Sequence, residues 1–290
     1  MSIPTRPFFA PIPSPLRLLV AALAVQTIGA FAAGSGLCVE RLAPPQPTAG
    51  DVTIRETVPG AVPGVTAGWI TIVGPACYVE PGTDSEEVVW LTLGGRATFH
   101  AGGRKYALRE ESIARAPLGW SWTIEVPAGS TLLCVQVRHA VSAEDRGEYP
   151  RFAESNREPY VRTFRECEAS PRGSEGTEAF ARPLLPENMV PRMSVRLVEP
   201  PGPGRVAQPG QPMLDRFLIG LGDNLGRISV GETQIDFPPL SILHIPRGSP
   251  HSTEADTNHK RSYLQLDFLP SREGEHPLLP SSAAPAPASP

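Results

Sequence analysis

The stretch SILHIPRGSPHST, from Ser241 to Thr253, contains the pattern on which the fold prediction depends. A short apolar run meets Pro246, Gly248 follows, and His251 comes three residues after that glycine. Proline and glycine between such runs predict a strand, a tight turn and a second strand. Two interpretations are open for His251: a metal ligand or base inside a barrel, or a turn residue that hydrogen-bonds the backbone.

Runs like this one recur along the chain in two sets. They are rich in Val, Ile, Thr, Trp and Leu, and Gly and Pro separate them. No long stretch of helical periodicity interrupts either set, which predicts antiparallel all-β barrels or sandwiches. The first set is GWITIVG, VVWLTLG, RATFHAG, WTIEVPAG and TLLCVQVRH, and the second is MSVRLVE, DRFLIGLG, GRISVGE, SILHIPRG and SYLQLDF.

The two sets resemble each other, which indicates an internal duplication. EVVWLTLGGRATFHAGG aligns without a gap with DRFLIGLGDNLGRISVG and pairs Glu87 with Asp215. Further on, IEVPAGS aligns with LHIPRGS. This second alignment pairs Glu125 with His244 and places Leu132 where the other half has His251. It treats REESIARAPLGW as an extra loop of the first half.

These patterns divide the chain into five parts. Residues 1–33 are an apolar N-terminal segment, 50–145 the first barrel and 146–189 a charged connection. Residues 190–270 form the second barrel, and the Pro/Ala/Ser-rich tail 271–290 is expected to be disordered.

The N-terminal segment has two readings. Leu18–Ala33 carries no charge, is short for a membrane-spanning helix, and ends with Ala30-Phe31-Ala32, a signal-peptidase pattern. We therefore expect a periplasmic or secreted protein with no membrane association after cleavage. The alternative is a packed helix of a cytoplasmic protein, begun at Ser14-Pro15 and stopped at Gly34.

Net charge and cysteine spacing limit the kinds of partner the chain could bind and the redox state of its cysteines. The chain has 290 residues, 40% of them apolar, and a formal net charge of −4, which gives no attraction to nucleic acid. Its cysteines are too far apart in sequence for a zinc knuckle or a redox Cys-x-x-Cys. Two disulfides would suit an exported chain, and four buried thiols a reduced one. The cysteines are Cys38, Cys77, Cys134 and Cys167.

In these features the chain resembles a duplicated cupin, or bicupin, whose units are small antiparallel jelly-roll barrels. The second cupin motif has the form G-x5-PxG-x2-H-x3-N, and Pro246-Arg247-Gly248 followed by His251 resembles it. Ala255 stands where that motif has Asn. The resemblance covers roughly residues 65–140 and 190–270, and it implies that His251 lies at the mouth of the second barrel.

The resemblance also allows each barrel to be checked for a metal site, because the family's first motif supplies two His and a Glu as metal ligands. Asp215 takes the Glu position in the second barrel, and Glu87 takes it in the first. The HxH regions read AQPGQPML and YVEPGTDS, and neither contains a histidine. We therefore expect no metal cofactor. The alternative is a divalent ion such as Fe, Mn or Zn in the second barrel, held by Gln208, Gln211, Asp215 and His251.

Metal-free relatives of this kind use a His base and a Tyr acid. This suggests His251 as the acid or base, Asp215 as its orienting carboxylate, His244 as a second imidazole and Tyr263 as the phenol. The turn-residue reading of His251 stays open. Further expected ligand contacts are Gln208, Gln211, Arg216, Glu87 and Trp90.

The sequence thus predicts a degenerate bicupin. It would bind a small polar organic ligand in the C-terminal barrel, and His acid–base chemistry is an added hypothesis. The alternative is a metal-dependent bicupin oxygenase or isomerase. The predicted partner is a small molecule, with a homodimer also compatible.

Overall fold

The computed structural model describes most of the chain between Cys38 and Pro270. The described ranges are 38–42, 48–148, 157–167, 170–172, 179–186, 189–200, 203–208, 210–222, 224–255 and 261–270. The predicted signal segment 1–33 and the tail 271–290 lie outside them. In the described part, no helix has the length and apolar character needed to cross a membrane.

The first half is a jelly roll made of two facing sheets, which we call the N-terminal barrel. The larger sheet has the order β11-β8-β5-β10-β3-β2, and the smaller has the order β4-β9-β6-β7. Its own strands are β2 (Val52–Thr57), β3 (Val65–Val73), β4 (Ala76–Glu80), β5 (Glu86–Gly94), β6 (Ala97–Ala101), β7 (Arg104–Leu108), β8 (Ser112–Arg115), β9 (Trp122–Val126) and β10 (Thr131–Ala140).

The described residues after β10 include both helical turns and strands. They contain α1 (Ala143–Glu148), β11 (Tyr160–Thr163) and a 3-10 helix at Phe164–Glu166. β12 (Ser170–Arg172) and β13 (Ala179–Pro183) also lie in the predicted connection 146–189, and they join the larger sheet of the C-terminal barrel.

The second half, the C-terminal barrel, repeats the arrangement. Its sheets have the orders β1-β19-β16-β21-β14-β13-β12 and β15-β20-β17-β18. The strands are β1 (Cys38–Arg41), β12 (Ser170–Arg172), β13 (Ala179–Pro183), β14 (Met193–Glu199), β15 (Gly204–Gln208), β16 (Asp215–Gly220), β17 (Gly226–Val230), β18 (Thr233–Phe237), β19 (Ser241–Ile245), β20 (His251–Ala255) and β21 (Tyr263–Phe268). The prediction of an all-β bicupin architecture is confirmed.

Strand alternation gives β5 and β16 two different faces. Val89 of β5 and Phe217 of β16 belong to one apolar cluster that lies between the two barrels. Trp90 and Leu218, one residue further along each strand, belong to the separate interiors of their own barrels. Because successive side chains point to opposite faces, odd-numbered residues of both strands face the partner barrel and even-numbered ones face inward.

The strand register confirms the first predicted alignment for β5 and β16, shifts it by one residue at β6 and β17, and corrects the second alignment. β5 and β16 occupy equivalent places, as expected from the pairing of Glu87 with Asp215. However, β19 pairs with β16 as β8 pairs with β5, and β20 pairs with β17 as β9 pairs with β6. The counterpart of His251 is therefore Trp122, not Leu132, and that of His244 is Arg115, not Glu125.

In each barrel, one edge strand comes from the chain segment that lies before the other barrel in sequence. β1 lies before the N-terminal barrel in sequence, yet it pairs with β19 of the C-terminal barrel. β11 lies before the C-terminal barrel and pairs with β8 of the N-terminal barrel. This reciprocal exchange ties the two halves together through backbone hydrogen bonds.

Equivalent glycines fix the loops at the two barrel mouths. A Cβ atom on Gly82 would lie 2.2 Å from the carbonyl oxygen of Gly119. A Cβ atom on Gly210 would lie at the same distance from the carbonyl oxygen of Gly248. Only glycine permits this close approach, so the loops that follow β4 and β15 each rest directly on the Pro-x-Gly turn of their barrel.

The described cysteines form no disulfide. Cys77, Cys134 and Cys167 are free thiols, and burial raises the pKa of the Cys134 thiol well above its usual value. The alternative of two disulfides is therefore not met by these three cysteines.

Candidate functional site

The interior of the C-terminal barrel contains a polar network centred on the Arg216 guanidinium. Arg216 Nε donates to Asp267 Oδ1 at 2.5 Å, and its Nη1 donates to Gln208 Oε1 at 2.7 Å. Asp267 also accepts from Gln265 Nε2 at 2.8 Å and from Arg196 Nη1 at 3.3 Å. Arg216 is 5% exposed and Asp267 is fully buried, which makes these charge-assisted bonds strong.

His251 belongs to this network. Its Nε2 lies 3.2 Å from Arg216 Nη1, and its Nδ1 lies 3.5 Å from the Ser249 carbonyl oxygen. Because a guanidinium only donates, Nε2 must accept, and we assign the ring proton to Nδ1. Gln208 Nε2 lies 3.5 Å from the Tyr263 hydroxyl and so links the phenol to the same group.

Asp215 and His244 form a second pair, on the other face of β16. His244 Nε2 lies 3.1 Å from Asp215 Oδ1, and Arg247 Nε donates to Asp215 Oδ2 at 2.9 Å. The His244 ring meets the Phe217 ring edge-on at 5.7 Å, within the layer between the barrels.

The structure therefore divides the four residues predicted as catalytic into two groups. His251 and Tyr263 lie inside the C-terminal barrel, whereas Asp215 and His244 face the N-terminal barrel. Arg216, one residue after Asp215, is the charged group that contacts His251. Strand alternation explains the difference, because a shift of one residue reverses the face.

A divalent cation does not fit the donor set suggested by the sequence. Gln208 Oε1 and His251 Nε2 both accept from Arg216 Nη1, and Asp215 lies on the opposite face. A permanently charged guanidinium between the donors also repels a cation. Gln211 lies at the mouth, where its backbone oxygen accepts from Gly248 N at 2.9 Å. No three His, Cys, Asp or Glu side chains in the described ranges are close enough to hold a metal ion.

The residues predicted in the first barrel, Glu87 and Trp90, also point in opposite directions. Arg115 Nη2 and Nε donate to the two oxygens of Glu87 at 2.7 and 2.9 Å. This buried pair occupies the place that Asp215 and His244 occupy in the other half. Trp90 instead packs inside the N-terminal barrel against Trp122, with ring centroids 5.4 Å apart.

The N-terminal barrel has its own internal network, around the buried Glu80 carboxylate. Its Oε2 accepts from Arg138 Nη2 at 2.5 Å, from Tyr78 Oη at 2.8 Å and from Gln136 Nε2 at 3.1 Å. Arg138 Nη1 also reaches Glu86 Oε2 at 3.3 Å. Burial raises the pKa of the Tyr78 hydroxyl, so it stays a donor to Glu80.

A pocket opens at the mouth of this barrel, next to Glu80, and we call it the mouth pocket. The β4–β5 loop and the Pro117-Leu118-Gly119 turn form its walls. Its lining includes Glu80, Glu86, Trp120 and Trp122.

Sequence reasoning missed Glu80, Arg138 and the mouth pocket, although a signal was present. SIARAPLGWSWTIEV (112–126) aligns without a gap with SILHIPRGSPHSTEA (241–255). Ser, Ile, Pro, Gly and Glu recur at the same places, and the register of the strands agrees with this alignment. It pairs PLGWSW with PRGSPH and would have identified Trp122 as the counterpart of His251.

Comparisons with known proteins show the fold. No family model and no curated protein sequence matches the chain. Protein Ylba from E. coli is a similar solved structure, with a TM-score of 0.61, 14% identity, and coverage of 85% of this chain and 95% of that one.

Two other similar structures are HEPD from Streptomyces albus and a cupin 2 conserved barrel domain protein from Leptotrichia buccalis. The HEPD structure, with 2-hydroxyethylphosphonate and Fe(II) bound, has a TM-score of 0.60 at 10% identity and covers 88% of this chain and 82% of its own. The Leptotrichia protein has a TM-score of 0.55 at 12% identity, with 77% and 91% covered. Together they show that this chain has the bicupin fold.

Proposed function

We propose that this bicupin binds a small organic anion, of the carboxylate class, in its C-terminal barrel. The proposal rests on Arg216 Nη1, which lies 2.7 Å from Gln208 Oε1 and 3.2 Å from His251 Nε2. Gln208 is half-buried and stands toward the mouth. A carboxylate oxygen that replaced the Gln208 amide oxygen would receive the same guanidinium donor with a stronger, charge-assisted bond.

The surrounding groups favour an anion over a cation. In the described part of the network, two guanidinium groups contact one carboxylate, Asp267. His251 contacts Arg216, and the Tyr263 hydroxyl is linked to the same guanidinium through Gln208. These groups resemble the convergent polar set of a small-molecule site more than an apolar core.

Acid–base chemistry by His251 is a second part of the proposal, and it has weaker support. The ring lies beside Arg216, while the carboxylate expected to orient it, Asp215, contacts His244 instead. A binding role therefore needs fewer assumptions than turnover. If turnover occurs, Tyr263 and His251 are the groups that would transfer the proton.

Isothermal titration of the full chain with acetate, oxalate and malonate tests the binding role. We expect saturable binding of at least one of them, and at least about tenfold weaker binding in His251→Ala, because a lost charge-assisted contact is worth about 1.4 kcal/mol or more. His100→Ala is the matched control, since His100 lies in the other barrel and contacts Glu125. Absence of binding for all three anions would contradict the proposal, as would equal weakening in both variants.

The metal-dependent alternative predicts a different result. The HEPD likeness makes a bound Fe or Mn worth testing, but the Arg216 contacts argue against it. We expect elemental analysis to find well under one transition metal per chain. A content near one, lost in His251→Ala, would favour the alternative.

A further inference from the structure

We infer that the mouth pocket of the N-terminal barrel binds the primary ammonium group of a small organic amine. This is a second site, and it is independent of the anion site proposed for the C-terminal barrel. Three features of the pocket support it: its charge, its size and its aromatic walls.

The pocket wall carries more negative than positive charge. Glu80 and Glu86 both line it, and one guanidinium, that of Arg138, contacts the two of them from behind. The third carboxylate of the lining, Glu87, is already paired with Arg115. Among the described residues, one carboxylate charge is therefore left for a cationic ligand.

Glu80 is held in place for such a contact. It is 2% exposed, and Tyr78, Gln136 and Arg138 all donate to its Oε2. Among the described residues none donates to Oε1, which leaves this oxygen to accept from a ligand. A carboxylate fixed by three donors needs little reorganisation to bind a cation, which favours affinity.

The size of the pocket selects the head group. The pocket has room for about one water-sized group, which suits a primary ammonium better than a bulkier tetraalkylammonium. A primary ammonium also has three N–H donors, which suit a pocket whose lining holds the carboxylates of both Glu80 and Glu86.

The two indoles supply the rest of the contact. Trp120 rests on the Gly102 backbone, where a Cβ atom would lie 2.2 Å from the ring, so the turn between β6 and β7 supports it. Trp122 is fixed by its contacts with Trp90 and Phe99, whose ring centroids lie 5.4 and 5.1 Å away. Indole faces attract cations, and Trp does so more strongly than the other aromatic side chains.

Isothermal titration of the full chain with ethylammonium chloride tests the inference. We expect saturable binding, at least about tenfold weaker in Glu86→Gln because the outer carboxylate charge is lost. Glu86 is 41% exposed at its side chain, so the variant should fold, and its thermal midpoint checks this. Glu125→Gln is the matched control, because Glu125 is an exposed carboxylate of the same barrel outside the pocket.

Tetramethylammonium and acetate complete the design. Binding of tetramethylammonium should be at least about tenfold weaker than that of ethylammonium, since its head group is bulkier than a primary ammonium. Acetate binding should be unaffected by Glu86→Gln. The inference is overturned by an absence of saturable ethylammonium binding, by equal weakening in Glu86→Gln and Glu125→Gln, or by equal affinity for the two cations. Trp120→Ala gives an independent check, because it should weaken ethylammonium binding without altering the wall charge.

Discussion

The two barrels share one backbone plan but carry different side chains at their mouths. At the position where the C-terminal barrel has His251 the N-terminal barrel has Trp122, and Glu80 corresponds to Gln208. Each barrel keeps a buried Arg–carboxylate contact inside, but the partners come from different strands. In the first it joins Arg138 of β10 to Glu80 of β4, and in the second it joins Arg216 of β16 to Asp267 of β21.

This difference shows what a duplicated fold conserves. The strand register, the Pro-x-Gly turn and the close approach of the mouth glycines are the same in both halves. The side chains that point inward have changed in charge and in hydrogen-bonding type. The scaffold therefore fixes where a ligand can sit, and a few inward positions on β4, β9, β15, β16 and β20 determine which ligand it is.

The largest difference between the halves should come from the two pairs that face the layer between the barrels. Arg115→Ala should lower the free energy of unfolding by about 3–5 kcal/mol, because it removes both charge-assisted bonds that the guanidinium donates to the buried Glu87 carboxylate. His244→Ala should lower it by about 1–2 kcal/mol, because Asp215 keeps its bond to Arg247, which is partly exposed. Urea denaturation measures both. Equal losses in the two variants would contradict this explanation, because the remaining Arg247–Asp215 bond would then give no protection.

A second asymmetry concerns His139, whose counterpart in the C-terminal barrel is Phe268. Burial, helped by the nearby Arg192 charge and opposed by Asp145, lowers the pKa of His139 to about 4. Between pH 6.5 and 4 the unfolded chain therefore takes up a proton that the folded chain does not. Stability is complete above the unfolded pKa and falls with pH by about 3 kcal/mol across this window.

Denaturation curves from pH 7 to pH 4 test this effect in the native chain and in His139→Leu. The variant should show a pH dependence smaller by about 3 kcal/mol, because it removes the titrating group without adding a polar one. Identical pH dependence in the two proteins would show that His139 is protonated when folded.

The smallest stability effect is expected for a substitution that makes the second barrel resemble the first. Gln208→Glu places a carboxylate beside Arg216, as Glu80 stands beside Arg138. It should change the free energy of unfolding by about 1 kcal/mol or less, because the side chain is half-buried and the guanidinium is already present.

Carboxylate binding should nevertheless weaken at least about tenfold in Gln208→Glu, since the new side chain competes for Arg216. Gln234→Glu on the exposed side of β18 adds the same charge and serves as control. If both variants bind carboxylates equally, the ligand does not contact Arg216.

The sequence predicted the architecture well because the signals for it are local. Short apolar runs, the Pro-x-Gly turn and the gapless match around Glu87 and Asp215 identify two jelly rolls. The inward-facing side chains were harder to predict. Asp215 and Arg216 are neighbours, and only the register decides that the arginine faces His251.

The mouth pocket could not be derived from single residues. Glu80 becomes a candidate ligand group only after Tyr78, Gln136 and Arg138 have been brought to one of its oxygens, and these lie up to 58 positions away. Misalignment of the second repeat block hid the equivalence of Trp122 and His251. Long-range pairing of this kind carries no local signature.

The exchanged edge strands, β1 and β11, affect the synthesis of the chain as well as its folded structure. Arg41 pairs with Ser241, so β1 leaves the ribosome about 200 residues before its partner. At roughly 5–20 residues per second, this is a wait of about 10–40 s. During that interval β1 has an unpaired edge, which is a site where chaperones or another nascent copy could bind. The same connection that makes the finished molecule a single unit thus leaves the first described strand without its partner until most of the chain has been made.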